Sequence, residues 1–200
     1  MSENKEITKY IECLKDIKIR TDFAHKLLKQ DIRKQPLVLV AENVCLQLRI
    51  ILELIALSSI VANKEEYSKL RKSFATDWNG KKILVDVEKI NPNFYPKPLK
   101  QVINPSTKKV EEVIEIKNHV LSKEKYIEAY DFVSGYLHAH NIYSPPLQYD
   151  KAIKKLRTYI SEIYVLLNHF SIQLPESNKQ WWVIMNTENG EIQVSEMQKI

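Results

Sequence analysis

Glycine is scarce: three in 200 residues, at positions 80, 135 and 190. That scarcity argues against a Gly-rich phosphate loop, a collagen-like segment and the turn density of an all-β barrel. Cysteine is scarcer still. Cys13 and Cys45, with no CxxC spacing, make neither a disulfide framework nor a zinc site, and they read as two buried thiols. No uncharged apolar run reaches the 18 residues that a bilayer demands. The greasiest stretch, 37–62, contains Glu42, Arg49 and Glu53, so no membrane crossing is expected. The first residues are charged where a signal peptide needs an apolar run, and the expectation is a cytoplasmic chain. There is no nucleophile elbow, redox pair or internal repeat, which sets a small-molecule enzyme behind the two functional classes argued below.

Hydrophobic residues make up 44% and charged residues 28%, enough apolar surface to offset the ordering entropy of a folded core. The net charge is +5, and its distribution matters more than its size. Residues 1–35 carry nine basic and six acidic groups, residues 64–120 twelve and eight, and residues 172–200 two and four. The basic surplus therefore sits in the first helix and the middle segment. Acidic residues are interspersed there, so these Lys-rich faces read either as solvated surface or as a phosphate-binding surface.

The pattern predicts a mainly α protein: a multi-helix bundle around a buried central helix, with a C-terminal β-hairpin. Ile7, Ile11, Leu14, Ile17, Phe23, Leu27 and Leu28 recur at near-helical spacing and predict a long amphipathic helix ending before Pro36. Residues 37–62 are apolar nearly all round and too long for a strand, which marks the central buried helix. Asn63 reads as the cap of a shorter helix running through Phe74, broken at Asp77–Gly80, and 81–90 as another short helix. Four prolines between 91 and 105 make the next stretch an extended crossing. Its flanks, 99–103 and 109–116, read equally as a second hairpin or as irregular chain.

Ser122 starts a helix expected to reach His140, and 149–170 is a last long amphipathic helix. Asn189-Gly190 between 181–185 and 191–197 is a strong hairpin signal, and Trp181 and Trp182 must pack on the bundle or on a second chain. The organisation read from this is a bundle domain over 1–175, with 64–120 as an insertion, and a hairpin appendage over 176–200.

Two sets of residues bear on chemistry. Glu42, Arg49 and Glu53 fall within about 40° of one another on a helical wheel, a charged stripe on an apolar helix. A guanidinium there needs partners, either as a structural ion pair with Glu53 or as the anion-holding wall of a polar cleft. On the facing helix Tyr130, Ser134, Leu137 and Asn141 share an inward face, with His138 three residues before Asn141. His138 as acid or base, Asn141 as orienter and Arg49 as anion holder would suffice for metal-independent RNA cleavage. His138 and Asn141 would equally serve to cap the helix before Pro145-Pro146. Within a helix His140 would be rotated about 200° from His138, which speaks against a shared metal. No cofactor is expected. Tyr136 and Tyr143 are the rings to watch for base stacking.

A long helix carrying Arg49 and Glu53, then a helix closing on His138 and Asn141 before a final long helix, resembles the HEPN superfamily of prokaryotic helical bundles over roughly residues 5–170. The resemblance implies a toxin–antitoxin or antiviral-defence protein, RNA-binding or RNA-cleaving and commonly dimeric, with its Arg and His near the dimer seam. Of that family's Arg–polar–His motif, His138 and Asn141 match the polar and histidine part. Arg20 and His25 have the motif's spacing, but on a helix they diverge by about 140°. The site implied is His138, Arg49 and Asn141, supported by Glu53 and Tyr143. The alternative class is a non-catalytic dimerisation or partner-binding protein that uses its bundle and C-terminal ribbon.

Overall fold

A computed structural model describes residues 2–30, 35–72, 74–175 and 178–198. Residues 176–177 and 199–200, at the ends of the expected appendage, lie outside the described residues. The chain runs α1 (Ser2–Lys29), α2 (Leu37–Ala62), α3 (Lys64–Leu70), one 3-10 turn (Phe74–Thr76), α4 (Gly80–Ile90), β1 (Lys97–Ile103), β2 (Val110–Glu115), α5 (Lys123–Ser134), α6 (Tyr149–Asn168), β3 (His169–Gln173), β4 (Lys179–Ile184) and β5 (Gln193–Gln198). It is a mainly α fold with strands concentrated toward its C-terminal end.

The central helix is where its composition predicts. Val44, Leu48, Ile51, Leu52 and Ile55 of α2 are at most 1% exposed, and α1, α4, α5 and α6 all pack on this helix. Each such side chain contributes about 2 kcal/mol on burial. α1 lies antiparallel to α2, tied by Arg20 to Gln47 (3.0 Å) near the middle and by Lys64 to Glu6 (2.7 Å) at the far end. By length and composition α2 could cross a bilayer, yet 56% of its most apolar window is buried in the bundle. One flank stays uncovered: Leu39 and Leu46, two turns apart, are 60% and 45% exposed.

Side-chain caps set two of the helix starts. Asn79 Oδ1 accepts the Lys82 amide (3.1 Å) at the start of α4, and Ser122 Oγ accepts that of Lys125 (3.3 Å) at the start of α5. Asn63 does not cap α3 with its side chain. Its amide instead donates to the Ser59 carbonyl (2.8 Å) and accepts from Asn91 Nδ2 (2.8 Å), which also reaches the Gln173 carbonyl (2.7 Å). This buried amide node clamps the α2–α3 junction, the end of α4 and the end of β3 together.

Three boundaries depart from the sequence reading. α3 ends at Leu70 and does not run through Phe74, because the chain turns extended at Arg71. α5 stops at Ser134, six residues short of His140, because Tyr136 and Leu137 bond three residues back, to Val133 (3.1 Å) and Ser134 (3.3 Å), and this tightening unwinds the helix. The last helix ends at Asn168, where the chain turns extended at His169 and becomes β3. Phe170 and Ile172 on one face and His169 and Ser171 on the other are all at most 8% exposed, as a strand covered on both faces requires. β3 is also the middle strand of an antiparallel sheet ordered β2-β1-β3-β4-β5, so it joins the β1–β2 and β4–β5 hairpins into one surface. Trp181, on β4, is 3% exposed and meets Tyr10 of α1 edge-on at 5.1 Å. Trp182 stacks on His169 and donates its indole N–H to His169 Nε2.

That last bond needs a neutral imidazole. Burial holds the His169 pKa below its ordinary value of 6.5. In the unfolded chain His169 takes a proton below about pH 6.5, and in the folded chain only at lower pH. The stability it confers is therefore complete above about pH 6.5 and is lost as pH falls through the depressed folded value. The urea midpoint should fall between pH 7 and pH 5, and His169→Gln, which keeps an acceptor but does not titrate, should flatten that slope. An unchanged slope in the variant would overturn this assignment.

Candidate functional site

Arg49 projects from α2 toward α5. Its Nε donates to Glu53 Oε1 (2.6 Å), one turn on, and its Nη1 donates to Ser134 Oγ (2.5 Å). The guanidinium lies over the Tyr130 ring, 3.7 Å from its centre. Tyr130 Oη is 3.5 Å from Glu53 Oε1, and Ser134 Oγ donates back to the Tyr130 carbonyl (2.6 Å). The side chains of Arg49 and Glu53 are 19% and 24% exposed, so the pair is sheltered but not sealed. Burial, with Glu53 adding to it, raises the Tyr130 pKa; the opposing Arg49 charge does not cancel the rise.

Gly80 completes this seam. A Cβ there would stand 3.2 Å from the Tyr130 ring, so the start of α4 lies against α5. A Cβ at this position would come within 2.4 Å of Tyr126 Oη, which itself donates to the Leu52 carbonyl (2.7 Å). The place of one of the chain's three glycines is thus set by close approach.

The second set of residues lies farther along. A groove of about 700 Å³ opens between the start of α2 and the chain after α5, lined by Leu39, Glu42, Leu46, His138, His140 and Tyr149 among others. His138 and His140 both reach it because the helix has ended before them, so the expected 200° separation does not apply. Among the described residues no group of three His, Cys, Asp or Glu side chains is arranged to hold a metal ion. Asn141 does not line the groove. Its Oδ1 accepts the Tyr143 amide (3.0 Å) in an exposed turn, and the Tyr143 ring is 91% exposed beside Ile142 at 83%.

Of the residues singled out from sequence, Arg49 and Glu53 thus stand together, and His138 faces an open groove whose wall includes neither of them. Asn141 and Tyr143 stand on a solvent-exposed turn. Glu42, from the same charged stripe, joins the groove with His138 and not the Arg49 pair. Cys45 is fully buried; burial, then Glu42, pushes its thiol up to about 12, so it stays protonated near neutrality and is a poor nucleophile. The signal that sequence reading passed over was Tyr130, noted for its periodicity but not as the face on which Arg49 rests.

Removing Arg49 would leave the Glu53 carboxylate partly buried with only the Tyr130 hydroxyl nearby. Arg49→Met should cost about 2 kcal/mol in urea unfolding, and adding Glu53→Leu should recover part of that loss. A double-mutant cycle between these two positions with a coupling energy near zero would show that Arg49 and Glu53 do not act as a pair. The chain matches no protein-family model, no curated protein and no solved structure.

Proposed function

We propose that this chain is a HEPN-like, RNA-binding protein of the toxin or antiviral-defence type, with the groove at the end of α2 as the seat for single-stranded RNA. The observation that carries this reading is the groove's setting at a basic end of the bundle. α1 ends there with Lys26 and Lys29, and α6 begins there with exposed Lys151 and Lys154. Arg157 Nη2, about two turns into α6, donates to the Leu28 carbonyl (2.9 Å) and ties the end of α1 to that helix. The first turn of α2 carries no acidic residue, so its helix-dipole charge adds to the same field. Inside the groove, imidazoles and Tyr149 supply flat faces for bases, and the exposed Tyr143 ring stands on the nearby turn.

The geometry supports binding more directly than cleavage, since Arg49 is committed to Glu53, Ser134 and Tyr130. In the catalytic form of the proposal His138 takes the proton of a ribose 2′-hydroxyl, and Glu42 or His140, the other acid–base groups in the groove, gives a proton to the departing 5′-oxygen. A labelled single-stranded RNA should bind with an affinity that falls steeply with salt, and charge reversal at Lys26, Lys29 and Lys151 should weaken it by about tenfold or more. In EDTA, His138→Ala should abolish cleavage while binding persists. Absence of binding at low salt would overturn the reading, and cleavage indifferent to His138 would remove its catalytic form.

A second reading rests on a different observation. Leu39 and Leu46 are the exposed apolar stripe of the most hydrophobic helix, and both also border the groove. A second copy of the chain packed there would cover them and bring two grooves together across a two-fold axis. Sedimentation should then report a dimer, and Leu46→Glu a monomer; a monomeric parent protein would exclude this arrangement.

A further inference from the structure

β2 is an outermost strand of the sheet, with β1 on one side and, among the described residues, no strand on the other. β1 pairs with β3 only at Lys97 and Pro98, so residues 99–115 project beyond β3 as a two-stranded arm. Little covers this arm. Ile103, Val110 and Ile114 are 54%, 49% and 40% exposed, and every residue of β2 except Val113 is exposed. An open edge of this kind presents main-chain donors and acceptors in the geometry that a further strand would pair with.

Register fixes what that edge offers. The amide of Ile116 donates to the Pro98 carbonyl (2.9 Å), toward β1. Successive residues of an antiparallel strand turn their N–H and C=O to opposite sides, so Ile114 also faces β1, while Val113 and Glu115 turn theirs outward. Side chains alternate between the two faces of the sheet. Glu112 and Ile114 stand on one face with their partners Val102 and Lys100, and Val113 and Glu115 on the other with Gln101 and Leu99. Each face of the edge thus carries one carboxylate and one β-branched side chain. Glu111 accepts from the Asn104 side chain within the arm, whereas Glu112 and Glu115 have no ion-pair partner among the described residues. Three glutamates in six residues make this edge repel its own copy. β5, at the other side of the sheet, carries Glu196 and no basic residue, so it does not complement β2 either.

We propose that the free edge of β2 takes up a basic extended segment of another protein as an added strand of this five-stranded sheet. The residues set opposite Glu112, Val113, Ile114 and Glu115 are basic, apolar, apolar and basic, a palindromic order that serves a parallel or an antiparallel strand equally. Main-chain bonds to Val113 and Glu115 supply the attachment, and the two carboxylates select the sequence. Runs of this pattern within the chain itself, 26–29, 97–100 and 151–154, lie in α1, in β1 and in α6, so a second copy has none free to offer. The edge shares no residue with the groove, and its role does not depend on what the groove binds.

The probe is the end-blocked hexapeptide Thr-Lys-Val-Val-Lys-Thr. In a proton–nitrogen correlation spectrum of the full chain, the Val113 and Glu115 amides should shift saturably with peptide up to about 5 mM, a range that reaches weak affinities, and should exchange more slowly with water. The charge-swapped peptide Thr-Glu-Val-Val-Glu-Thr and the reordered peptide Lys-Lys-Thr-Thr-Val-Val should each bind at least about tenfold more weakly. Glu112→Lys with Glu115→Lys should reverse the preference between the first two peptides; both positions are exposed, so the core is untouched. Val113→Pro removes one outward N–H where an edge strand accommodates proline, and should weaken the lysine peptide by about tenfold. Equal binding of the reordered peptide would reduce the effect to charge attraction, and unmoved Val113 and Glu115 amides would leave the glutamates as guards against aggregation; either result overturns the proposal. So does a dimer in sedimentation that Val113→Pro dissolves, since a second copy then occupies the edge.

Discussion

Between α2 and α5 the Arg49 guanidinium rests on the Tyr130 ring while its edge bonds Glu53 and Ser134. Apolar packing alone would let two helices slide by a turn at little cost, since one leucine resembles the next. A planar cation with directional partners has only one acceptable seat. With α5 fixed, Tyr126 reaches the Leu52 carbonyl, and Gly80 lets the start of α4 close against the Tyr126 and Tyr130 rings in the same seam. The chain after Ser134 then leaves α5 at a defined point and lines the groove. The same bonds that locate the groove also occupy the charge that sequence reading assigned to it.

Much of the architecture was legible in the sequence because it depends on local pattern. The limits of α2 coincide with the apolar run, since Pro36 cannot sit inside a helix and polar residues follow Ala62. Asn189-Gly190, with Gly190 at a positive φ of 74°, marks the last hairpin, and the β-branched run near 110–114 forms the other. Features that depend on distant partners were not legible. His169–Gln173 alternates polar and apolar residues, but only over five positions and directly after the helical pattern of α6, and its pairing with both β1 and β4 is what makes it a strand. Asn63 has the composition of a cap but is claimed by Asn91, a residue 28 positions away. The site divides along the same line. Arg49 and Glu53 are one helical turn apart and could be paired from spacing, whereas the fate of His138 and Asn141 depended on where α5 unwinds, which no periodicity records.

The two openings of the molecule lie at opposite ends of its longest apolar helix and differ in kind. The groove is broad, edged by leucines and basic helix ends, and faces solvent with imidazoles whose partners are still to be supplied. The hollow near Trp181, where the α2–α3 junction meets the β3–β4 turn, is smaller and closer to the sheet. α2 is the common wall of both.

Joining the two hairpins through β3 has a consequence for folding. Tyr10, in the first helix, finds its ring partner only in Trp181, and Phe170 and Ile172 acquire one flank only when residues 180–183 arrive. A chain folded only through β3 therefore still presents a bare apolar seam on α1 and an unpaired strand edge on β3. Until β4 docks, both are open to neighbouring chains, so its arrival is the step that protects the folding molecule from association.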